Sequence, residues 1–98
     1  MIFVVATLTC APEKRDELMA AAQPCITATR RESGCISYDL NASSTDPGTA
    51  VFVERWQSRE ALQRHFGQPH MAVWREASGK LIASRTVEII HPEQVETL

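Results

Sequence analysis

No stretch of this sequence is apolar for long enough to cross a bilayer, and no basic stripe marks a nucleic-acid surface. Ten Lys and Arg stand against twelve Asp and Glu, a net charge of −2, so the expected partner is neither nucleic acid nor membrane. Cysteine is sparse. Cys10, Cys25 and Cys35 are odd in number and far apart, which argues against a disulfide framework or a zinc array and for free thiols in a reducing cytoplasm. There is no glycine-rich loop to cradle a phosphate and no ligand-spaced Cys/His cluster. The expectation is therefore a cytoplasmic protein without bound metal, haem or flavin. The apolar start, MIFVVATLTC, has no basic segment before it and reads as a first strand, not a leader.

What is present fits one domain, residues 1–98. Ile2 to Thr9 is rich in β-branched residues, apolar on both faces, and predicts a strand buried on two sides. Pro12 and Glu13 suit the first turn of a helix whose inward stripe is Leu18, Ala21, Ala22, Cys25, Ile26 and Thr29. Pro24 lies inside that pattern and predicts a kink or break, and Gly34 stops the helix. Cys35 to Asn41 predicts a second strand with Ile36, Tyr38 and Leu40 on one face. A turn-rich loop from Ala42 to Thr49 joins it to a third strand, Ala50 to Gln57, as an antiparallel hairpin. Leu81 to His91 predicts the last strand, closed by Pro92.

The chemistry gathers between Phe52 and Trp74. Phe52, Glu54 and Trp56 share one strand face. Ser58 can cap a helix whose apolar seam is Ala61, Leu62, His65 and Phe66. Gly67 is placed to end that helix in the left-handed conformation. Pro69 starts another, on which His70 and Trp74 share a face. The order is β-α-β-β-α-β with the second helix split, an α+β ferredoxin-like order with an antiparallel sheet and helices on one face. The strands carry apolar residues on both faces, so the expectation is a homodimer in which two sheets pack together.

ESGCISYDL before the hairpin loop, FVERW after it, and W-x-S-x-x-A-L-x-x-H-x-x-x-P-H-M beyond that resemble the antibiotic biosynthesis monooxygenase family, above all its quinol monooxygenase-like subgroup. The resemblance runs from Ile2 to about Pro92. It implies a ferredoxin-like protomer, a dimeric α+β barrel and a pocket between sheet and helices in each protomer. It also implies oxygenase chemistry on a small molecule with O₂ and without a cofactor. Members with other chemistry, haem degradation and isomerisation of a phosphorylated sugar, show that the family does not fix the reaction. Haem degradation fits poorly, because the first strand lacks the Asn that those relatives carry; Thr7 and Thr9 are its polar residues.

Each candidate has a structural alternative. His65 is the expected general base, taking a proton from a quinol or enol hydroxyl; the alternative is a core-edge histidine bonded to a carbonyl. Glu54 either orients His65 or His70 or forms an ion pair with Arg85 or the neighbours of Arg55. Tyr38, Trp56, Phe66, His70 and Trp74 are expected to contact substrate; the alternative for the aromatics is ordinary core. His91 is expected to be solvated. A metal triad of His65, His70 and Glu54 is set aside, because two histidines five apart across a helix break fix no ligand geometry. Three function classes follow: a cofactor-independent monooxygenase on a quinol or related aromatic, an isomerase using the same histidine, and a non-catalytic dimeric binding module.

Overall fold

Strand β1 (Ile2–Cys10) is hydrogen-bonded along both edges, antiparallel to β3 (Thr49–Trp56) on one side and to β4 (Ile82–Ile90) on the other. This central place explains a strand apolar on both faces. Ile2, Val4, Ala6, Leu8 and Cys10 are buried beneath helices, while Phe3, Val5, Thr7 and Thr9 on the reverse face are half-buried. Strand β2 (Cys35–Ala42) completes the sheet on the far side of β3, giving the order β2-β3-β1-β4. The computed structural model describes all of residues 1–98.

The helices are α1 (Arg15–Thr29), α2 (Arg59–Phe66) and α3 (Pro69–Gly79), and a single 3-10 turn, Pro12–Lys14, leads into α1. The fold is therefore the ferredoxin-like α+β order with its second helix split in two. Leu18, Ala22, Cys25, Ile26 and Thr29 are the buried stripe of α1, as its periodicity requires. Trp56, Leu18 and Leu62 are fully enclosed in the one core, and removing a side chain of this size from water stabilises the fold by about 1.5–3 kcal/mol. Helix cover stops short of β4, whose residues from Ala83 to Glu88 are exposed.

Three local expectations need correction. Of the kink or break expected at Pro24, the break is absent, since α1 runs unbroken from Arg15 to Thr29. Pro24 and Ala20, whose carbonyl loses its donor, both lie on the solvent side, where water can replace the missing bond. Gly67 ends α2 with φ −92, not in the left-handed region. Ile36 does not share a face with Tyr38 and Leu40. The pairing of β2 with β3 shifts between Cys35 and Ser37, so Cys35 faces the core opposite Trp56 and Ile36 becomes the extra residue of a bulge, 49 % exposed.

Gly34 precedes that bulge and is the one residue with positive φ, +89. A Cβ built there would meet the Cβ of Ala61 at 2.5 Å. The turn after α1 is thus pressed against α2, and only glycine permits both the dihedral and the approach. Gly34→Ala should lower stability by roughly 2–4 kcal/mol, a left-handed penalty plus an overpacking cost. That is a drop in melting temperature of about 10 °C or more for a chain of this size. Gly79, at the end of α3 with nothing within 4 Å of its virtual Cβ, is the control: Gly79→Ala should be neutral or stabilising by up to ~1 kcal/mol. Equal melting curves for the two variants would refute this account of Gly34.

Candidate active site

The inner sheet face and the ends of α2 and α3 enclose a cavity of about 130 Å³, nine of whose thirteen lining residues are hydrophobic. Val4, Ala6 and Leu8 of β1 form its floor; Phe66, Met71 and Trp74 close it from the helices. Its size suits one six-membered ring, since a cavity of ~150 Å³ takes up benzene. Its four polar lining residues are Glu54, His65, Arg75 and Arg85, and Tyr38 is among the nine others.

His65 reaches this wall because α2 is capped and phased to put it there. The Ser58 hydroxyl accepts from the Ala61 N–H at 3.1 Å, which starts the helix. Ala61, Leu62 and His65 then fall on the buried side, and Glu60, Gln63 and Arg64 on the exposed one. The His65 side chain is 1 % exposed. Its ring lies 4.7 Å from Trp56 and 5.3 Å from Tyr38, centre to centre.

The carboxylate that holds His65 is Glu32, not Glu54. Glu32 lies in the turn between α1 and β2, its N–H bonded to the Thr29 carbonyl and its own carbonyl to the Cys35 N–H. One of its oxygens, Oε2, is 2.7 Å from His65 Nδ1 and 2.7 Å from His70 Nε2. A carboxylate accepts only, so the network assigns an N–H to each of these ring nitrogens. Burial pulls the His65 imidazole below its usual range, against the opposing effect of Glu32, and it is neutral near pH 7. A neutral ring protonated on Nδ1 carries its lone pair on Nε2. That atom has no partner in the chain, yet no buried side-chain nitrogen or oxygen is left unsatisfied. Nε2 is therefore open at the cavity wall, where it can take a proton.

The remaining candidates fall into two groups. Tyr38, Glu54, Phe66 and Trp74 line the cavity with His65. Trp56 and His70 do not: Trp56 is fully buried behind His65, and His70 lies on the far side of Glu32. Glu54 forms no ion pair with Arg85 or any other cation; it accepts from the Trp56 indole N–H at 3.0 Å. Burial raises its carboxyl to about 7, moderated by that hydrogen bond and reinforced by the charge of Glu32. Burial pushes the Tyr38 phenol far above its ordinary range, so it stays protonated, and its only partner is the Cys25 sulfur at 3.9 Å. His91 is exposed. Glu32 was missed as a site residue. The available signal was an acidic group just past the C-terminus of α1, where the helix dipole opposes it and some compensating contact is required.

On its other side the cluster opens to a polar cleft of about 400 Å³ lined by Arg31, Glu32, Arg64 and His70 among others. The ligating atoms of Glu32, His65 and His70 all lie within 4.8 Å of one another. The triad set aside from sequence therefore does converge, with a different carboxylate.

The description of the antibiotic biosynthesis monooxygenase family matches residues 1–77. The chain is 42 % identical over 81 residues to "Putative monooxygenase Rv0793" of Mycobacterium tuberculosis, covering 83 % of this chain and 79 % of that protein. The solved structure of Rv0793 superposes with a TM-score of 0.88 at 36 % identity over 98 % of both chains. "Putative monooxygenase YcnE" of Bacillus subtilis is 30 % identical over 96 residues, 98 % of this chain and all of that one. A Deinococcus radiodurans protein of the same description shares the fold, with a TM-score of 0.91 at 21 % identity over 100 % and 98 % of the two chains. On its sequence and its fold alike, this chain belongs to the antibiotic biosynthesis monooxygenase family.

Proposed function

We propose that the chain is a monooxygenase that oxidises a quinol or related small aromatic or enolic substrate with O₂, without a bound cofactor, and that His65 Nε2 is its general base. The observation that carries this reading is one neutral imidazole held by a carboxylate on Nδ1 and open to a ring-sized apolar cavity on Nε2. A substrate hydroxyl gives its proton to Nε2. The resulting electron-rich anion passes one electron to O₂, and the radical pair joins as a carbon–oxygen bond, a hydroperoxide once protonated. Loss of water breaks the O–O bond and removes the hydrogen of that carbon. One oxygen atom ends in a new carbonyl and the other in water, with no outside reductant. Glu54 faces the same cavity with its carboxyl raised, so base and acid are separated by environment. An isomerase with the same base would consume no oxygen, and a binding module would turn over nothing.

His65→Ala should lower turnover by roughly a hundredfold or more, the range of a lost general base, in a protein with unchanged circular dichroism. His65→Gln should be as inactive. Glu32→Gln removes the charge that fixes the tautomer and should cost on the order of tenfold or more. Glu54→Gln should cost less than His65→Ala. The readout is oxygen consumption across a panel of hydroquinones; full turnover in a folded His65→Ala protein would remove His65 from the mechanism. Activity should rise with pH, because the base works unprotonated, with its midpoint below the ordinary imidazole value of about 6.5.

Glu54 also makes a prediction about stability. Folding raises its carboxyl from 4.5 to about 7, so the folded chain favours the neutral form. That contribution is complete below the unfolded value and is lost as pH rises through the folded one. Glu54→Gln is neutral throughout and can still accept from Trp56. Relative to wild type it should gain on the order of 1–3 kcal/mol between about pH 5 and about pH 8 in urea unfolding. A pH-independent difference would show that Glu54 is not held neutral by the fold.

The working unit in this proposal is a homodimer in the cytoplasm. Phe3, Val5, Val51 and Val53 form an apolar patch on the sheet face without helices, and each is only half-buried within one chain. A second sheet packed there would cover it. Sedimentation equilibrium at micromolar concentration should return twice the chain mass, and a monomer at that concentration would end this reading.

A further inference from the structure

We propose that Glu32, His65 and His70 form a binding site for a divalent first-row transition ion of the Zn²⁺ class, and that an ion seated there removes the base from the cavity. The donor set is two imidazole nitrogens and one carboxylate, a combination suited to zinc and its neighbours. The three ligands come from three separate elements, the α1–β2 turn, α2 and α3, and already converge without an ion. His65 Nδ1 and His70 Nε2 each lie 2.7 Å from Glu32 Oε2. Ligands at ordinary zinc distances in a tetrahedral shell are about 3.3 Å apart, so each imidazole must back away from the carboxylate oxygen by about half an ångström, while the two ring nitrogens, which lie within 4.8 Å of each other, draw together by up to about 1.5 Å. Glu32 and His70 line the polar cleft of about 400 Å³, which supplies an entry path and room for a water as fourth ligand.

The consequence for the base rests on the function proposed above. When Nδ1 of His65 binds the ion, its proton moves to Nε2; the proton of His70 moves from Nε2 to Nδ1. Each ring then binds the ion through one nitrogen and keeps its proton on the other. Nε2 then presents an N–H to the cavity instead of a lone pair, and cannot take a proton from substrate.

The test uses the full chain after dialysis against a chelator. Zn²⁺ titrated calorimetrically should bind at one equivalent per chain with micromolar or tighter affinity. Co²⁺ should give the visible bands of four-coordination. Glu32→Gln and His70→Ala should each weaken Zn²⁺ by roughly tenfold or more, while His91→Ala should not change it. Nitrogen NMR of the wild type, which needs no variant to fold, should show the His65 proton on Nδ1 before zinc and on Nε2 after it. Absence of saturable binding, or binding unchanged in His70→Ala, would overturn the site. Binding with the tautomer switch but undiminished oxygen consumption would leave the site standing and overturn His65 as the base.

Discussion

Two imidazole N–H groups converge on one oxygen of Glu32, and the site depends on that shared acceptor. The Glu32 side chain is 9 % exposed and His65 is almost wholly enclosed. A carboxylate so placed is sustained by the hydrogen bonds it receives; left without them, it would cost several kcal/mol. The same bonds decide which His65 nitrogen carries the proton. Stability and chemistry therefore meet in one atom. They meet again at Gly34, whose contact with Ala61 holds the turn bearing Glu32 against the helix bearing His65.

The cluster also divides the space around it. On one side lies a ring-sized apolar cavity, and on the other a polar cleft that carries Arg31 and Arg64. His65 touches the first, His70 the second, and Glu32 joins them. The apolar cavity and the polar cleft thus meet the same hydrogen-bonded chain at opposite ends. Burial acts in opposite senses on the two titratable groups of the inner cavity, lowering His65 and raising Glu54, because each favours its uncharged form.

Periodicity carried much of the architecture. The alternation in β1, the stripe of α1, the Ser58 cap and the split second helix were all legible from residue spacing, because each is a local consequence of burial or capping. The bulge at Ile36 was not, since an extra residue in a ladder shows only in its pairing. The site was half legible. His65 lay visibly on an apolar helical seam, and Glu54, Tyr38, Phe66 and Trp74 followed from their faces. The partner of His65 was not, because Glu32 is 33 residues upstream in a turn and no periodic pattern joins the two. Glu54 was the natural choice from one strand face, but the nearby Trp56 indole satisfies it first.

Gly67 and Gln68, between α2 and α3, have a geometric consequence of their own. On one unbroken helix, residues 65 and 70 would be about 140° apart around the axis, their rings facing different neighbours. Two non-helical residues reset the phase, so both rings reach the same oxygen. The short joint acts as an angular gear between two helices. Its length, more than the identity of any residue in it, determines whether the second histidine belongs to the cluster. The sheet that forms the cavity floor takes no part in this setting. A lineage could therefore re-aim one wall of the site by one inserted or deleted residue while leaving the four strands of the sheet as they are.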